Sequence, residues 1–212
     1  MIRIDLNISL DGFATTTDQT PENPMGEDWG RLVAAYVATR TFRSRVLHDT
    51  SGEGTVGVDE KYALAYFDEV GAEIMGAGMF GLHNHPHDPD WRGWWGEEPP
   101  FHVPVFVLTH EQRPTIEMAD GTIFHFVEKP IGEVLALALE AAGGKDVRVG
   151  GGVSVAREFL KAGLVDQLHL AIAPIVLGDG LRLWDGLRGL DSGYRVTTEV
   201  AESGTTHVTF RR

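Results

Sequence analysis

Val147-Arg148-Val149-Gly150-Gly151-Gly152-Val153-Ser154 runs from a short β-branched strand through three consecutive glycines into a helix-like pattern. Glycine lets a backbone turn sharply and come close to a ligand. The first amides of a following helix have no intrahelical acceptor and sit at the positive end of its dipole, so an anion such as a phosphate fits there without a basic side chain. Gly-rich strand-to-helix turns also arise for packing alone. The flanking chain has to decide between these two uses, and it decides the fold as well.

Downstream, Gly152 to Ala162 reads as a helix with Ala156, Phe159 and Leu160 on its apolar face and Gly163 at its end. Gln167 to Pro174 is a strand, and Tyr194 to Val200 with Thr205 to Phe210 flank Ser203-Gly204 as a terminal hairpin. Upstream, Ile131, Val134, Leu135 and Ala138 mark a helix closed by Gly143-Gly144, preceded by strands at Val105 to Leu108 and Thr122 to Val127. Ala72 to Met75 is a short strand after a helix from about Asp59 to Val70, which itself follows a loop from Asp49 to Val58. At the N-terminus, Ile2, Ile4, Leu6 and Ile8 alternate along a half-buried strand from Ile2 to Ser9. Phe13 to Asp28 is a long loop without apolar periodicity, and Trp29, Leu32, Val33, Tyr36 and Val37 follow at helical spacing behind a capping Asp28. Strands alternate with helices until the last hairpin. The expected fold is α/β, a mostly parallel twisted sheet with helices on both faces and an antiparallel C-terminal edge, in one domain spanning 1–212.

The composition fits a globular chain, with 212 residues, 42% hydrophobic and 23% charged. A formal net charge of -13 argues against a nucleic-acid or anionic-membrane surface, either of which calls for clustered Lys and Arg. Cysteine is absent, which excludes disulfides, thiolate metal sites and cysteine nucleophiles. With no signal-like N-terminus and no bilayer-length apolar run, the expected address is cytoplasmic.

Gly76-Ala77-Gly78-Met79-Phe80-Gly81 matches the G-x-G-x-x-G pattern after a strand, but the next residues are Leu82-His83-Asn84-His85-Pro86-His87-Asp88-Pro89. A dinucleotide-binding helix cannot run on through two prolines, so the stretch is expected to make at most a short cofactor contact. The three histidines have metal-ligand chemistry, but alternate residues of an extended segment point to opposite sides, so a solvated loop is the expectation and no metal site is assigned. Trp91, Trp94 and Trp95 are expected to anchor the ordered excursion at residues 82–104 or to line a subunit contact. No nucleophile elbow occurs, and Ser154 suits hydrogen-bond donation better than attack. Asp11, Glu27 and Asp28 are the acids beside the loops, available to hold or protonate a polar heterocycle, although Asp11 is equally a turn residue and Asp28 a helix cap.

Several of these pieces occur in the order seen in one family. Ser9-Leu10-Asp11-Gly12-Phe13, Ile74-Met75-Gly76, Val149-Gly150-Gly151-Gly152 and, most specifically, Leu164-Val165-Asp166-Gln167-Leu168-His169-Leu170 continued to Gly180 cover most of the chain. By these blocks the chain resembles dihydrofolate-reductase-like proteins related to the reductase domain of the riboflavin-biosynthesis deaminase-reductase. The resemblance implies a three-layer α/β/α fold, a homodimer, NADPH as reductant and hydride transfer to a small heterocycle such as a pterin or an aminopyrimidine. It places Gly150, Gly151, Gly152, Val153 and Ser154 on the cofactor pyrophosphate, Gly76 in a cofactor contact and Thr109 near the adenosine phosphate. Asp11, Gly12 and Phe13 would lie beside the nicotinamide and acceptor, with Asp11 and Asp28 as candidate catalytic acids. In such relatives an arginine commonly follows the Met-Gly pair, where this chain has Ala77 and Gly78. Loss of that guanidinium removes a bidentate partner for the 2′-phosphate, so NADH stands beside NADPH. It also keeps a second reading open, a non-catalytic small-ligand-binding protein that retains the fold.

Overall fold

Around the glycine stretch, the computed structural model places strands and helices in alternation; it describes residues 1–15, 20 and 22–212. In chain order the elements are β1 (Ile2–Ser9), β2 (Phe13–Thr15), α1 (Trp29–Leu32), α2 (Ala34–Val37), α3 (Arg40–Arg45), α4 (Val58–Phe67), β3 (Val70–Gly76), α5 (Ala77–Phe80) and β4 (Pro104–Leu108). There follow β5 (Ile116–Glu117), β6 (Ile123–Val127), α6 (Ile131–Ala142), β7 (Asp146–Gly151), α7 (Val153–Lys161), β8 (Gln167–Ala173), β9 (Leu181–Arg182), β10 (Arg195–Val200) and β11 (Thr206–Arg211). The arrangement is a mixed α/β three-layer fold with a mostly parallel sheet and a C-terminal antiparallel β10–β11 pair, as the alternation of elements predicts. Among the described residues no helix is long and apolar enough to cross a membrane.

The chain divides into two compact units, one of Met1–Ile4 with Glu69–Val165 and the other of Asp5–Asp68 with Asp166–Arg212. In the first, the opening residues of β1, then β7, β3, β4, β6 and β5, are neighbours in that order. Their β1–β7, β7–β3, β3–β4 and β4–β6 ladders are parallel. Parallel strands need crossover connections, and the crossover helices bury both faces. Ile4, Ile74, Met75, Val105, Val107, Phe124, Val147 and Val149 are accordingly sealed from solvent. Helix α6 turns Val134, Leu135, Ala138 and Ala142 inward, and Gly143 ends it in the left-handed conformation at φ 58°. In the second unit, β10, β11, β8 and the rest of β1 are neighbours, with β11 antiparallel to β10 and β8.

Four local expectations change. Strand β1 is not half-buried: Arg3, Asp5 and Ser9, the alternates of its apolar residues, are 7%, 8% and 0% exposed. An interior strand of a mostly parallel sheet has layers packed on both its faces, so its polar alternates go inside as well. The helix expected behind Asp28 breaks into α1, α2 and α3; Asp28 makes no side-chain cap and instead pairs with Arg31, while Thr39 caps α3 by accepting from Phe42 N–H. Helix α4 stops at Phe67 because Asp68 is extended and Glu69 has φ 55°, its carbonyl accepting from Asp146 N–H as β3 begins. Finally, the start of the expected 13–28 loop is strand β2, paired antiparallel with β9; residues 16–19 and 21 of that loop lie outside the described residues.

The excursion after α5 is anchored by its tryptophans. Gly81 ends α5 at φ 98°, and a Cβ there would meet Trp91 and Trp94 at under 3 Å. Trp91 Nε1 donates to Phe80 O at 2.9 Å, and Trp95 packs edge-on to Phe101 beside the buried Phe80, Leu82 and Phe124. Arg113, its side chain 5% exposed, ties the same loop down by donating to Asp88 O and Trp91 O.

Candidate active site

In the first unit, β7, β3 and β4 present their carboxyl ends together. Met75 is in register with Gly151, and Gly76 with Leu108, so Thr109 follows one residue beyond. The sequence-predicted cofactor residues Gly76, Thr109 and Gly150–Ser154 therefore converge on neighbouring strand ends, where open α/β sheets bind their ligands. Thr109 N–H donates to Val127 O, and its hydroxyl accepts from Glu111 N–H at 3.0 Å.

The three glycines have three different reasons. The β3–β7 register shifts between Ile74 and Met75, whose partners are Val149 and Gly151, which leaves Gly150 as the extra residue of a bulge. A Cβ on Gly150 would collide with the Glu73 carboxylate, which pairs with Arg148 across the ladder, both side chains 1% exposed. Gly151, at φ 148°, leaves room for Met79 Sδ. Only Gly152, at φ 38°, faces open space, with nothing within 4 Å of a Cβ. Gly152 is the N-cap of α7 and makes no side-chain cap; the first helical bond is Ala156 N–H to Gly152 O at 3.1 Å. The amides of Val153, Ser154 and Val155 are thus left without intrahelical acceptors. An open glycine, free amides and a helix dipole fit a diphosphate; Ala77, the first residue of α5, supplies no charge toward a 2′-phosphate. Helix α5 ends at Phe80, where Gly81 takes the left-handed conformation, so no long helix follows the Gly76–Gly81 pattern.

In the second unit, Asp11 closes the turn after β1. Its Oδ1 accepts from Ser9 Oγ at 2.6 Å and Leu177 N–H at 3.2 Å, and its Oδ2 from Gly178 N–H at 2.7 Å. The Ser9 hydroxyl and the two amides hold its pKa at about 2, so the group is an anion across the neutral range. The next residues are fixed by the same distant segment: Gly12 has φ 88°, and a Cβ there would reach Trp184 at 2.9 Å. Arg182 donates to Asp11 O and lies 5.5 Å over the Phe13 ring. Asp28 is a surface residue of this unit, paired with Arg31 one helical turn on.

The same unit holds a pocket that sequence reasoning missed. It is floored by Asp5, His169 and His207 and walled by Tyr36, Tyr62, Tyr66, Asp59 and small residues such as Ala35, Ala63 and Ala171. A continuous chain of contacts crosses it. His169 Nδ1 is 3.2 Å from Asp5 Oδ1, His169 Nε2 is 3.0 Å from His207 Nδ1, and His207 Nε2 is 2.9 Å from Asp59 Oδ1. The Tyr62 ring stacks on both imidazoles at 4.4 and 4.1 Å, within 6° of parallel, and its hydroxyl donates to Glu199. Burial, and secondarily the neighbouring His169, push the His207 pKa down against the pull of Asp59. The sequence offered little signal: Asp5 lies on the polar alternate of β1 and His169 opposite Leu168 and Leu170 in β8, and only the packing of distant segments turns those faces inward.

Among the described residues no group of three or more His, Cys, Asp or Glu is arranged to hold a metal ion. The loop histidines have separate surroundings: the His85 ring stacks on Trp91 at 3.6 Å, and His87, 89% exposed, stands 3.9 Å from Glu111.

Comparison with known proteins agrees with this architecture. A protein from Shewanella sp. PV-4, whose name places it in riboflavin biosynthesis, superposes with a TM-score of 0.63 at 22% identity, over 100% of this chain and 98% of its own. A pyrimidine reductase-like protein from Corynebacterium diphtheriae gives 0.51 at 17% identity, covering 99% and 90%. The diaminohydroxyphosphoribosylaminopyrimidine deaminase/5-amino-6-(5-phosphoribosylamino)uracil reductase of Thermotoga maritima gives 0.54 at 16%, this chain spanning 56% of it. At such identities the likeness is one of fold. In sequence, the uncharacterized protein YyaP of Bacillus subtilis is 34% identical over 67 residues, 32% of this chain and 36% of YyaP. The RibD C-terminal domain model matches residues 1–203, so nearly the whole chain belongs to the RibD C-terminal domain family.

Proposed function

We propose that the protein is an NAD(P)H-dependent reductase that delivers hydride to a small nitrogen heterocycle, of the pterin or aminopyrimidine kind. The observation that carries this reading is the open Gly152 at the head of α7, flanked by the in-register ends of β3 and β4. Bound there, a nicotinamide dinucleotide supplies the hydride; the protein's part is to hold and orient it and to manage a proton. The amides of Val153 and Ser154 bind the pyrophosphate over the open Gly152, Gly150 and Gly151 form the end of β7 that leads to it, and Gly76 and Thr109 border the adenosine side. Gly12 and Phe13 serve the nicotinamide and acceptor. Asp11, fixed as an anion, holds those two residues in place. Asp28, with Arg31 beside it, is assigned to the acceptor's polar edge. NADPH is the expected cofactor, with NADH competing because Ala77 stands where a guanidinium would select the 2′-phosphate. The working form is a cytoplasmic homodimer acting on a small molecule, without nucleic acid.

Titration with NADPH and NADH, followed by quenching of tryptophan emission, tests the reading. Binding of at least one below millimolar concentration is expected, and Gly152→Val should weaken it about tenfold, or about 1.4 kcal/mol. Absence of binding by either at millimolar concentration refutes it. Ala77-Gly78 also favours the second reading, a ligand-binding protein without turnover; oxidation of NADPH in the presence of a pyrimidine or pterin acceptor eliminates that alternative.

A further inference from the structure

The chain Asp5–His169–His207–Asp59 has three links, and each link needs one proton between its two heavy atoms. Both ends are carboxylate oxygens, which only accept when ionised, and two neutral imidazoles carry two N–H protons between them. One link therefore lacks a proton whenever both rings are neutral, and a third proton completes the chain. That proton has more than one place to sit. An imidazolium at His207 can pass its Nδ1 proton to His169 Nε2 while His169 passes its own Nδ1 proton to Asp5, and every link survives the shift. Asp5 lines the pocket with its side chain 9% exposed, and its Oδ2 is buried with no hydrogen-bond partner. A buried acceptor in that condition is costly unless a donor from outside the chain meets it.

We propose that Asp5 is the proton-exchanging residue of this pocket and that His169, His207 and Asp59 position it and store the exchangeable proton. This deepens the reductase reading and rests on it for the fate of the bound molecule, because a ring nitrogen that becomes N–H as hydride arrives elsewhere on the ring needs such a donor. In the exchange the proton passed to Asp5 Oδ1 reaches the pocket as the carboxyl turns, the Asp5 O–H bond breaks as an N–H bond forms on the ring, and the chain returns to two protons for its three links. The groups facing the chain are few. Tyr62 and Tyr66 come from α4 and Tyr36 from α2; behind Tyr62 stands Glu199 of β10, paired with Lys61. The stacked Tyr62 ring covers both imidazoles, so stored charge is kept from water.

Nitrogen-15 NMR of the histidine rings across pH, together with binding of 2-aminopyrimidine at each pH, tests the proposal on wild type, Asp5→Asn and Asp59→Asn. If the chain is one unit, Asp59→Asn shifts the His169 ring signals although His169 does not touch Asp59. Wild-type affinity for 2-aminopyrimidine then changes up to tenfold per pH unit across the histidine transition, Asp5→Asn flattens the profile, and Asp59→Asn displaces it. Two results overturn the proposal: Asp59→Asn moving His207 alone, or 2-aminopyrimidine affinity that is independent of pH or absent. NADPH binding measured on the same samples separates the two readings. Its absence beside an intact, pH-linked chain defeats the reductase assignment and leaves the relay standing.

Discussion

The two units bury charge in opposite ways. In the first, Glu73 and Arg148 sit opposite each other on adjacent parallel strands, an ion pair of permanent opposite charges closed across one ladder. In the second, Asp5, His169, His207 and Asp59 form an open chain whose protons can move and whose Asp5 end faces a pocket. The closed pair holds charge still, so it can shape the backbone: Gly150 exists because the Glu73 carboxylate occupies the space of a side chain there. The open chain holds charge loosely, which suits chemistry and costs stability when it is over-filled. A buried ionic group is thus a poor guide to function until its titratable members are counted.

Breaking the closed pair has the largest expected effect. Arg148→Met leaves the Glu73 carboxyl at a 1% exposed site without the guanidinium opposite it, and urea unfolding should show a loss of about 3–5 kcal/mol. The double variant Glu73→Leu with Arg148→Met should recover part of it, since both charges of the pair are then gone. Next in size is Gly150→Ala, whose methyl pushes on the same carboxylate; a loss of about 1–3 kcal/mol is expected in the same assay. It sharpens the comparison because Gly152→Val meets no such clash: it should weaken dinucleotide binding, and its stability cost comes from the left-handed φ of 38° instead of a buried carboxylate. If Gly150→Ala leaves unfolding unchanged, the glycine is not there for Glu73.

The open chain should respond to pH where the closed pair does not. Burial holds the folded pKa of His207 below its unfolded value near 6.5, so the unfolded chain takes up its proton first as pH falls. The stability contribution is intact above about 6.5 and is lost as pH drops toward the lowered folded value. Urea midpoints from pH 7.5 downward should show that slope, and His207→Gln should flatten it. A His207→Gln profile parallel to wild type would mean that the proton goes elsewhere.

Much of the first unit was legible because its signals are local. Strand β7 and helix α7 lie on either side of the glycines, and Gly143 closes α6 where its apolar period stops. Convergence of Gly76, Thr109 and Gly150–Ser154 follows from three parallel strands ending at one edge, an arrangement the alternation of elements already implies. In the second unit the signals are distant partners. Alternation along Ile2–Ser9 cannot say whether the polar face is covered, since covering depends on what distant segments pack onto that face. Strand β2 becomes a strand only through Leu181 and Arg182, and His169 and His207 meet only through the β8–β11 pairing. Helices α1 and α2, four residues each, are too short to show a period.

Asp11 gives the smallest effect and separates an anchor from an acid. Its pKa of about 2 is set by the Ser9 hydroxyl first and the Gly178 and Leu177 amides next, so its contribution is present above about 3.8 and lost only as pH falls through 2. Asp11→Asn should therefore cost a little stability at neutral pH and draw level with wild type only in strongly acidic solution, where wild type loses the interaction too. An asparagine keeps one carbonyl acceptor for the loop amides but cannot take both Leu177 and Gly178 on separate oxygens. The loop that fixes Gly12 and Phe13 then loosens, which raises the KM of any acceptor more than it lowers kcat. An equal fall in kcat with KM unchanged would instead make Asp11 a participant in the proton step, and the open chain at Asp5 would lose its claim to that role.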